Sequence, residues 1–453
     1  MFTYTRLPTR LFFQKDLLKT RFILACTIGL FALHCTLANA QSWEVSTIPG
    51  SSDRFPVSFS VPNENTAWAY CWRNDLTNPG NFKTYFRTIN AGSTWTQGDV
   101  PTACFNCLCT DIFAQNQDTA WVMFADYSGG GELYKTEDGG TSWKRKAMNT
   151  FNNGASFPNI IHFFDGKNGV MMGDPLNGYF EIYTTADAGE NWTRVPSDNI
   201  PSLLNAEIGF SNVKDAIKDT IWFGTSANRI FRSINRGKTW TAAVTPFKPQ
   251  TSQGDLVDIS FKNAKEGFAV IVEGGQSIAK TTDGGTSWSL ITTNMGFTPV
   301  YGLSYIPGTE SSFVLSGLYT AYSKDDCKTW TYIDNVSSKY GRPAFFNQNT
   351  GYVGGQNSRI LRWKPTTVGT KNVSPAFEYK IFPNPAIDYV NISATEVPAG
   401  VHELKLKSID GKIVSQKKLS TSGSLQQEFD LSALPKGMYI ISLGNWAQKL
   451  VKQ

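Results

Sequence analysis

An eight-residue phrase recurs six times along this chain of 453 residues, and its spacing constrains the fold more than any other feature. Residues 88–95 read TINAGSTW, 136–143 TEDGGTSW, 185–192 TADAGENW, 233–240 SINRGKTW, 281–288 TTDGGTSW and 323–330 SKDDCKTW. The closing tryptophans, Trp95, Trp143, Trp192, Trp240, Trp288 and Trp330, fall at intervals of 48, 49, 48, 48 and 42 residues. A period near 48, filled with short alternating apolar stretches between turn signals, is that of a propeller blade and not of a helical repeat. In each unit a strand such as GELYKT or FEIYTT leads in, the phrase turns the chain, and the tryptophan opens the next strand. An Asp or Asn at the third position can accept hydrogen bonds from the backbone of its own loop. A Gly at the fifth supplies a positive φ, and the Trp brings a large apolar area to the sheet.

These phrases resemble the Asp-boxes of sialidases and related propellers. Five copies keep the Gly, at positions 92, 140, 189, 237 and 285, and all six keep the Trp. The sixth has Cys327 in the Gly position, so a distorted turn is expected there. The resemblance implies that the boxes are structural turns at the blade periphery. Asn90, Asp138, Asp187, Asn235, Asp283 and Asp325 are therefore read as turn-formers and not as catalysts.

The two ends of the repeat region complete the count. Residues 345–363, FFNQNTGYVGGQNSRILRW, reproduce the first three strands of a unit and then run into KPTTVGT without a fourth. The missing strand is found at 42–47, where SWEVST has the form of the segment that follows a box elsewhere. Seven units result, the last completed by an N-terminal strand, a closure that removes the free edge of the ring.

The formal charge of +5 is concentrated at the start of the chain. Residues 1–40 hold five basic residues and one acid, leaving +1 for the remainder and no electrostatic case for nucleic acid. Those residues have the order of a signal peptide. Basic positions precede FILACTIGLFALHCTLA, and small residues stand at Ala38 and Ala40. The apolar run is short for a membrane span and holds His34, and no later stretch is apolar enough to span. Beyond it remain Cys71, Cys104, Cys107, Cys109 and Cys327, an odd number in an oxidising compartment. One or two disulfides are expected among the first four, with Cys327 as the odd thiol.

Composition changes after a linker at 366–375. Residues 376–453 contain nine Lys, seven acids and no Arg, and the box is absent. Short alternating strands with turns at Asn-Pro, Asp-Gly and Lys-Gly point to a small immunoglobulin-like β-sandwich. The segment resembles the C-terminal sorting domain of the bacteroidete type IX secretion system, through FPNPA with Asp388, DGK at 410–412 and LPKGMYIIS at 434–442. That resemblance implies passage across the outer membrane, with the secretion machinery as a partner. The chain is thus divided into a signal peptide (1–40), a propeller (41–365), a linker (366–375) and a sorting domain (376–453). It is expected to be secreted or held on the outer surface after transit through the periplasm.

Chemistry-bearing residues are sparse. Between the signal segment and the sorting domain the sole histidine is His162, so a Ser-His-Asp triad would have to use it and a multi-His metal site is excluded. No Gly-rich phosphate loop follows a strand and opens a helix; no cofactor and no metal are expected. Carboxylates remain. In a four-stranded blade the box turn joins strands three and four on one face. The opposite face receives Asp126, Asp174, Glu207, Asp255, Glu273, Tyr301 and Arg342. A pair of acids about 5–10 Å apart there would suit glycoside hydrolysis, with Asp174, Glu207 and Asp255 as catalytic candidates. For ligand binding the candidates are Asp126, Asp174, Tyr301 and Arg342. Sialidase chemistry is not expected, since DRFP at 53–56 is the nearest approach to the family's Arg-Ile-Pro. The stretches GVMMGDPLNGYFEIYTTADAGENW and DTIWFGTSANRIFRSINRGKTW resemble propellers of the photosystem II stability/assembly factor type. That resemblance implies a binding scaffold with no cofactor site. The reading is a secreted propeller that binds an extracellular glycan or protein, with glycoside hydrolase as the alternative.

Overall fold

The computed structural model describes residues 42–49, 53–73, 83–104, 106–204, 206–247, 256–271, 277–293, 299–333, 340–364, 379–408, 412–443 and 446–453. Residues 1–40, expected to be a signal peptide, and the linker at 366–375 lie outside them, as do Asp255 and Glu273. Strands dominate, and the helical content among the described residues is one 3-10 turn at Ser197–Asn199. No helix in the described residues is long and apolar enough to cross a membrane.

The repeat folds as seven antiparallel four-stranded sheets among the described residues. Their first strands are Arg54–Ser60, Cys107–Ala114, Pro158–Phe163, Gly209–Ile217, Leu256–Phe261, Val300–Tyr305 and Ala344–Asn347, which define sheets 1 to 7. Each first strand neighbours the first strand of the following sheet, and that of sheet 7 returns to sheet 1. The apolar alternation explains why. Each sheet presents large residues on both faces, and apolar clusters form between every pair of consecutive sheets. Trp68 and Tyr70 of sheet 1 meet Val122 and Phe124 of sheet 2, for example, while Phe59 of sheet 1 stacks on Tyr352 of sheet 7.

Closure uses both ends of the repeat region. Ser42–Thr47 pairs antiparallel with Arg359–Lys364 and is the fourth strand of sheet 7. Trp43 sits opposite Trp363 in that ladder, packs against Trp363 and Phe345, and donates its indole N–H to Thr320 Oγ1 of sheet 6 at 2.8 Å.

The boxes share one hydrogen-bond pattern. In all six the third residue, Asn90, Asp138, Asp187, Asn235, Asp283 or Asp325, accepts the N–H four residues on at 2.8–3.0 Å. The hydroxyl of the first residue, Thr88, Thr136, Thr185, Ser233, Thr281 or Ser323, accepts the N–H of the fifth at 2.8–3.1 Å. It donates in turn to the Asp or Asn. The fourth and fifth residues are both left-handed, as at Gly139 and Gly140. At Gly140 a Cβ would stand 2.1 Å from the Tyr85 hydroxyl of sheet 1, so glycine is needed for space as well as for φ. The expected distortion of the sixth box is not present. Cys327 takes φ +63 and keeps its N–H bond to Ser323 Oγ at 3.0 Å. A left-handed non-glycine residue costs roughly 1–2 kcal/mol, and the buried Cys327 side chain joins the apolar cluster between sheets 5 and 6.

Cys104 and Cys107 form a disulfide. Among the described residues there is no second bridge, because the other two cysteines serve different clusters: Cys71 lies between sheets 7 and 1, and Cys109 between sheets 1 and 2. Cys327 is a free buried thiol.

The described residues of 379–453 form one hydrogen-bonded network of five strands. The reason is the length of the hairpin Tyr389–Ser408 and Ile413–Asp430, which stays paired across register shifts between Thr395 and Gly400. Pro398, without an N–H to donate, falls inside that irregular stretch. Val390, Ile392, Leu404, Leu406, Phe429, Ile441 and Leu450 share its core.

Two outcomes test these assignments. Trp43→Ala should lower unfolding free energy by about 3 kcal/mol in a denaturant titration; a change within about 0.5 kcal/mol would mean that Ser42–Thr47 does not complete sheet 7. Thr136→Val leaves the Gly140 N–H without its acceptor and should cost about 1–3 kcal/mol, with Thr136→Ser largely restoring stability.

Candidate functional site

The first strands of the seven sheets line a central channel, and their residues enclose a cavity of about 340 Å³. Its walls come from the middle and later parts of those strands in sheets 1 to 6 and from Arg342–Phe345, at the start of the strand, in sheet 7. Side chains of Ser58, Ser60, His162, Asn212, Lys214, Asp215, Asp258, Ser260, Ser304 and Arg342 supply the polar surface, with Phe113 and Phe345 among the apolar walls.

Three carboxylates tie this channel together, each in the same way. Asp111 accepts the N–H of Ile112 at 2.9 Å and that of Ile161, in sheet 3, at 2.8 Å. Asp215 accepts those of Ala216 and of Phe261, in sheet 5, at 2.7 and 2.6 Å. Asp258 accepts those of Ile259 and of Leu303, in sheet 6, at 2.7 and 3.0 Å. Ser60 and Ser260 do the same with one bond each, to Ala114 N–H and Tyr305 N–H, both at 2.8 Å. Inner-strand N–H groups that face a neighbouring sheet would otherwise be unpaired and buried, and these side chains satisfy them.

Cations cross the channel to two of the acids. Lys214 pairs with Asp111, and Arg342 pairs with Asp258. Burial pushes Asp111 up and Lys214 down, against their mutual attraction. Burial raises Asp258 to about 6, opposed by Arg342. It raises Asp215 to about 7, opposed by its two backbone bonds. His162, set edge-on to Phe113 and Phe164, is lowered to about 3 by burial and by the nearby Lys214. It is a neutral imidazole at neutral pH.

The residues singled out from the sequence are dispersed. Of the described loop-face candidates Arg342 lines the cavity, as does His162. Asp126 ends a second strand and caps its own turn, accepting the Ser128 N–H at 2.7 Å. Asp174 accepts from Asn159 Nδ2 at 2.8 Å and from the Gly209 N–H at 3.0 Å, linking sheets 3 and 4 beside a register shift at Gly173/Pro175. Glu207 is fully engaged: Arg229 Nε donates to it at 3.0 Å and Arg229 Nη2 at 2.5 Å, while Thr225 Oγ1 and the Leu204 N–H also donate. Tyr301 is half-buried in the first strand of sheet 6, and burial raises its phenol. Asp126, Asp174 and Glu207 therefore hold separate positions, each with its own partners.

Two sets of residues were not singled out from the sequence. The channel acids Asp111, Asp215 and Asp258 stand on three of the seven inner strands, and no local motif marks them. A second set carried a readable signal: the basic residue just before the box hydroxyl. Arg87 donates to Gly139 O at 3.2 Å, Lys135 lies 4.0 Å from Glu190, Arg232 donates to Thr286 Oγ1 at 3.3 Å, and Lys280 lies 2.9 Å from Asp326. Each cation reaches the box of the following sheet.

A closed series of four-stranded sheets, laced inside by carboxylates and outside by boxes, defines a β-propeller. Residues 87–252 match the photosynthesis system II assembly factor YCF48 family, and residues 380–453 match the secretion system C-terminal sorting domain. The chain therefore carries a YCF48-like segment within the propeller and a C-terminal sorting domain, and the latter marks it for export to the cell surface or secretion. The photosystem II assembly lipoprotein Ycf48 of Trichormus variabilis is 23% identical over 249 residues, 54% of this chain and 56% of the relative. A solved structure of YCF48 bound to D1 peptide superposes with a TM-score of 0.52 at 18% identity, covering 73% of this chain and 99% of that one. PorZ, a surface component of the type-IX secretion system of Porphyromonas gingivalis, superposes with a TM-score of 0.50 at 14% identity, covering 89% of this chain and 60% of PorZ. The chain spans between 26% and 56% of the length of the curated relatives it matches.

The Glu207–Arg229 pair yields a sharp expectation. Glu207→Gln leaves a buried guanidinium without its counter-charge and should cost about 3–5 kcal/mol, read by chemical denaturation. A catalytic acid placed in an open loop would tolerate the same change without loss of stability.

Proposed function

We propose that this protein is a seven-bladed β-propeller exported by type IX secretion that acts outside the cell as a binding scaffold. The observation that carries this reading is the pairing of a matched sorting domain with a propeller whose channel has a polar, charged cavity. A cavity of this size falls at the low end of the range for small-ligand sites, about 300–1,000 Å³, and suits a side chain of a larger partner. The YCF48 structure bound to D1 peptide supports a protein segment as the ligand class. The glycoside hydrolase alternative needs two carboxylates acting together. The described candidates for that role, Asp174 and Glu207, are held by bonds that join sheets or neutralise an arginine. Asp126, one of the binding candidates, caps its own turn.

The sorting segment closes on itself in a way that suits recognition as a unit. Asn384, in FPNPA, donates to Lys449 O at 2.8 Å and accepts the Val451 N–H at 2.9 Å. Lys452 Nζ sits among the carbonyls of Leu431, Ser432 and Leu434 at 2.5, 3.4 and 2.6 Å. The proposal is tested by deleting residues 376–453 in the native host. The expected result is a folded, protease-resistant propeller retained in the periplasm. Normal arrival of the truncated protein at the surface or in the medium would refute type IX export.

A further inference from the structure

Two levels of side chains can be followed around the channel. At the first level Asp111 and Asp258 each bind the neighbouring sheet and each have a cation, Lys214 or Arg342, reaching across to them. Two residues further along the first strands lies a second level, with Ser60, Phe113, His162, Asp215, Ser260 and Ser304, all lining the cavity. Register places them together. Ser60 pairs with Trp68, Phe113 with Trp121, His162 with Val170, Asp215 with Trp222, Ser260 with Phe268 and Ser304 with Val314, at equivalent points of six ladders.

This second level repeats the chemistry of the first with one part missing. Asp215 makes the same two backbone bonds as Asp111 and Asp258, yet among the described residues no cation forms a salt bridge with it. Lys214 and Arg342 are both committed to the other two acids. The hydroxyls of Ser60 and Ser260 accept backbone N–H groups, and each O–H proton is left to a further acceptor. His162 is uncharged and contributes no balancing positive charge.

We propose that this second level is a site for a primary ammonium group on a slender aliphatic chain, with Asp215 as its counter-ion. The bound ammonium completes for Asp215 what Lys214 and Arg342 complete for the other two acids. Phe113 and Phe345 flank the cavity with apolar surface, which suits a methylene stem. Phe113 also offers an aromatic ring for cation–π contact. Two sources share this chemistry, the side chain of a lysine in a partner protein and a free aliphatic diamine. The inference rests on the binding reading above and refines it to a ligand class.

The site has a defined dependence on pH. Asp215 is raised to about 7 by burial and by Asp258, while Arg342 and the backbone bonds pull it down. The charged and titratable groups around it are Lys214 on its own strand and Asp111, His162, Asp258 and Arg342 on the others. An ammonium ligand selects the ionised carboxylate, so apparent affinity scales with the ionised fraction. Binding should therefore tighten by about tenfold from pH 6 to pH 8 and release about half a proton at pH 7.

The test is calorimetric titration of the full chain with cadaverine, with N-acetyl-lysine methylamide, and with the Nε-acetylated form of the latter. One or both amines should bind with one site, tightening about tenfold over that pH range, and the acetylated compound should not bind. Tighter binding of the lysine derivative assigns a protein source, and tighter binding of cadaverine a free diamine. Asp215→Asn should remove binding, and Asp126→Asn should leave it unchanged. No binding of either amine at pH 8, equal affinity at pH 6 and 8, or undiminished binding by Asp215→Asn would each overturn the proposal. Should Asp215→Asn fail to fold, the pH series on the unaltered chain decides alone. Failure here leaves the export test untouched, so the two readings fall separately.

Discussion

The apolar faces of the sheets can be buried only by one another, and this makes closure of the ring the constraint on which everything else depends. Each sheet covers its neighbour, and the last must find the first. The chain achieves this by pairing Ser42–Thr47 with Arg359–Lys364, residues more than 300 positions apart. Trp43 fastens the join by packing on Trp363 and bonding to Thr320 of sheet 6. Closure also removes the free sheet edges at that point, which would otherwise invite pairing with another chain.

Two sets of polar ties hold adjacent sheets at fixed angles, one at each radius. Near the axis, Asp111, Asp215 and Asp258 bind backbone N–H groups of the next sheet. Toward the rim, third-strand cations reach the next box, and aromatic groups do likewise: the Trp222 indole donates to Gly284 O at 2.8 Å, and the Tyr85 hydroxyl to Gly140 O at 3.0 Å. The boxes thus act between sheets as well as within them. Their carboxylates are held low by the bonds they accept; Asp187 lies at about 2 chiefly through the Asn191 backbone and side chain. A site in the channel inherits rigidity from both sets of ties. Placing binding groups on paired inner strands fixes their positions more firmly than loops would.

The channel's charge balance links architecture to function. Buried carboxylates are costly unless paired and hydrogen-bonded. Lys214 and Arg342 meet that need for two acids. Carboxylates that serve to join sheets at one level become, at the next, the groups that a ligand meets. The same backbone constraint accounts for both.

How much of this was legible beforehand can be judged residue by residue. Blade period, box turns, the N-terminal closing strand and the sorting segment were all readable, because they rest on local bonds or on a fixed spacing. The hydroxyl at the first box position and the cation before it were also present in the text of the repeat, as Thr88 and Arg87 show, but their roles needed a partner to be recognised. Asp111, Asp215 and Asp258 were not readable at all. Their neighbours in the sequence are ordinary strand residues, and what makes them a group is their convergence on one axis from three separate sheets. The partners of the loop-face acids were hidden for the matching reason: Asp126, Asp174 and Glu207 share a face by topology, and the bonds to Gly209, Arg229 and the Asp126 turn appear only in the folded chain. Sequence by itself determined the repeat, the turns and the export signal, since those depend on bonds between near neighbours. Tertiary structure alone decided which carboxylates are spent and which face the channel, because that follows from partners supplied by other sheets.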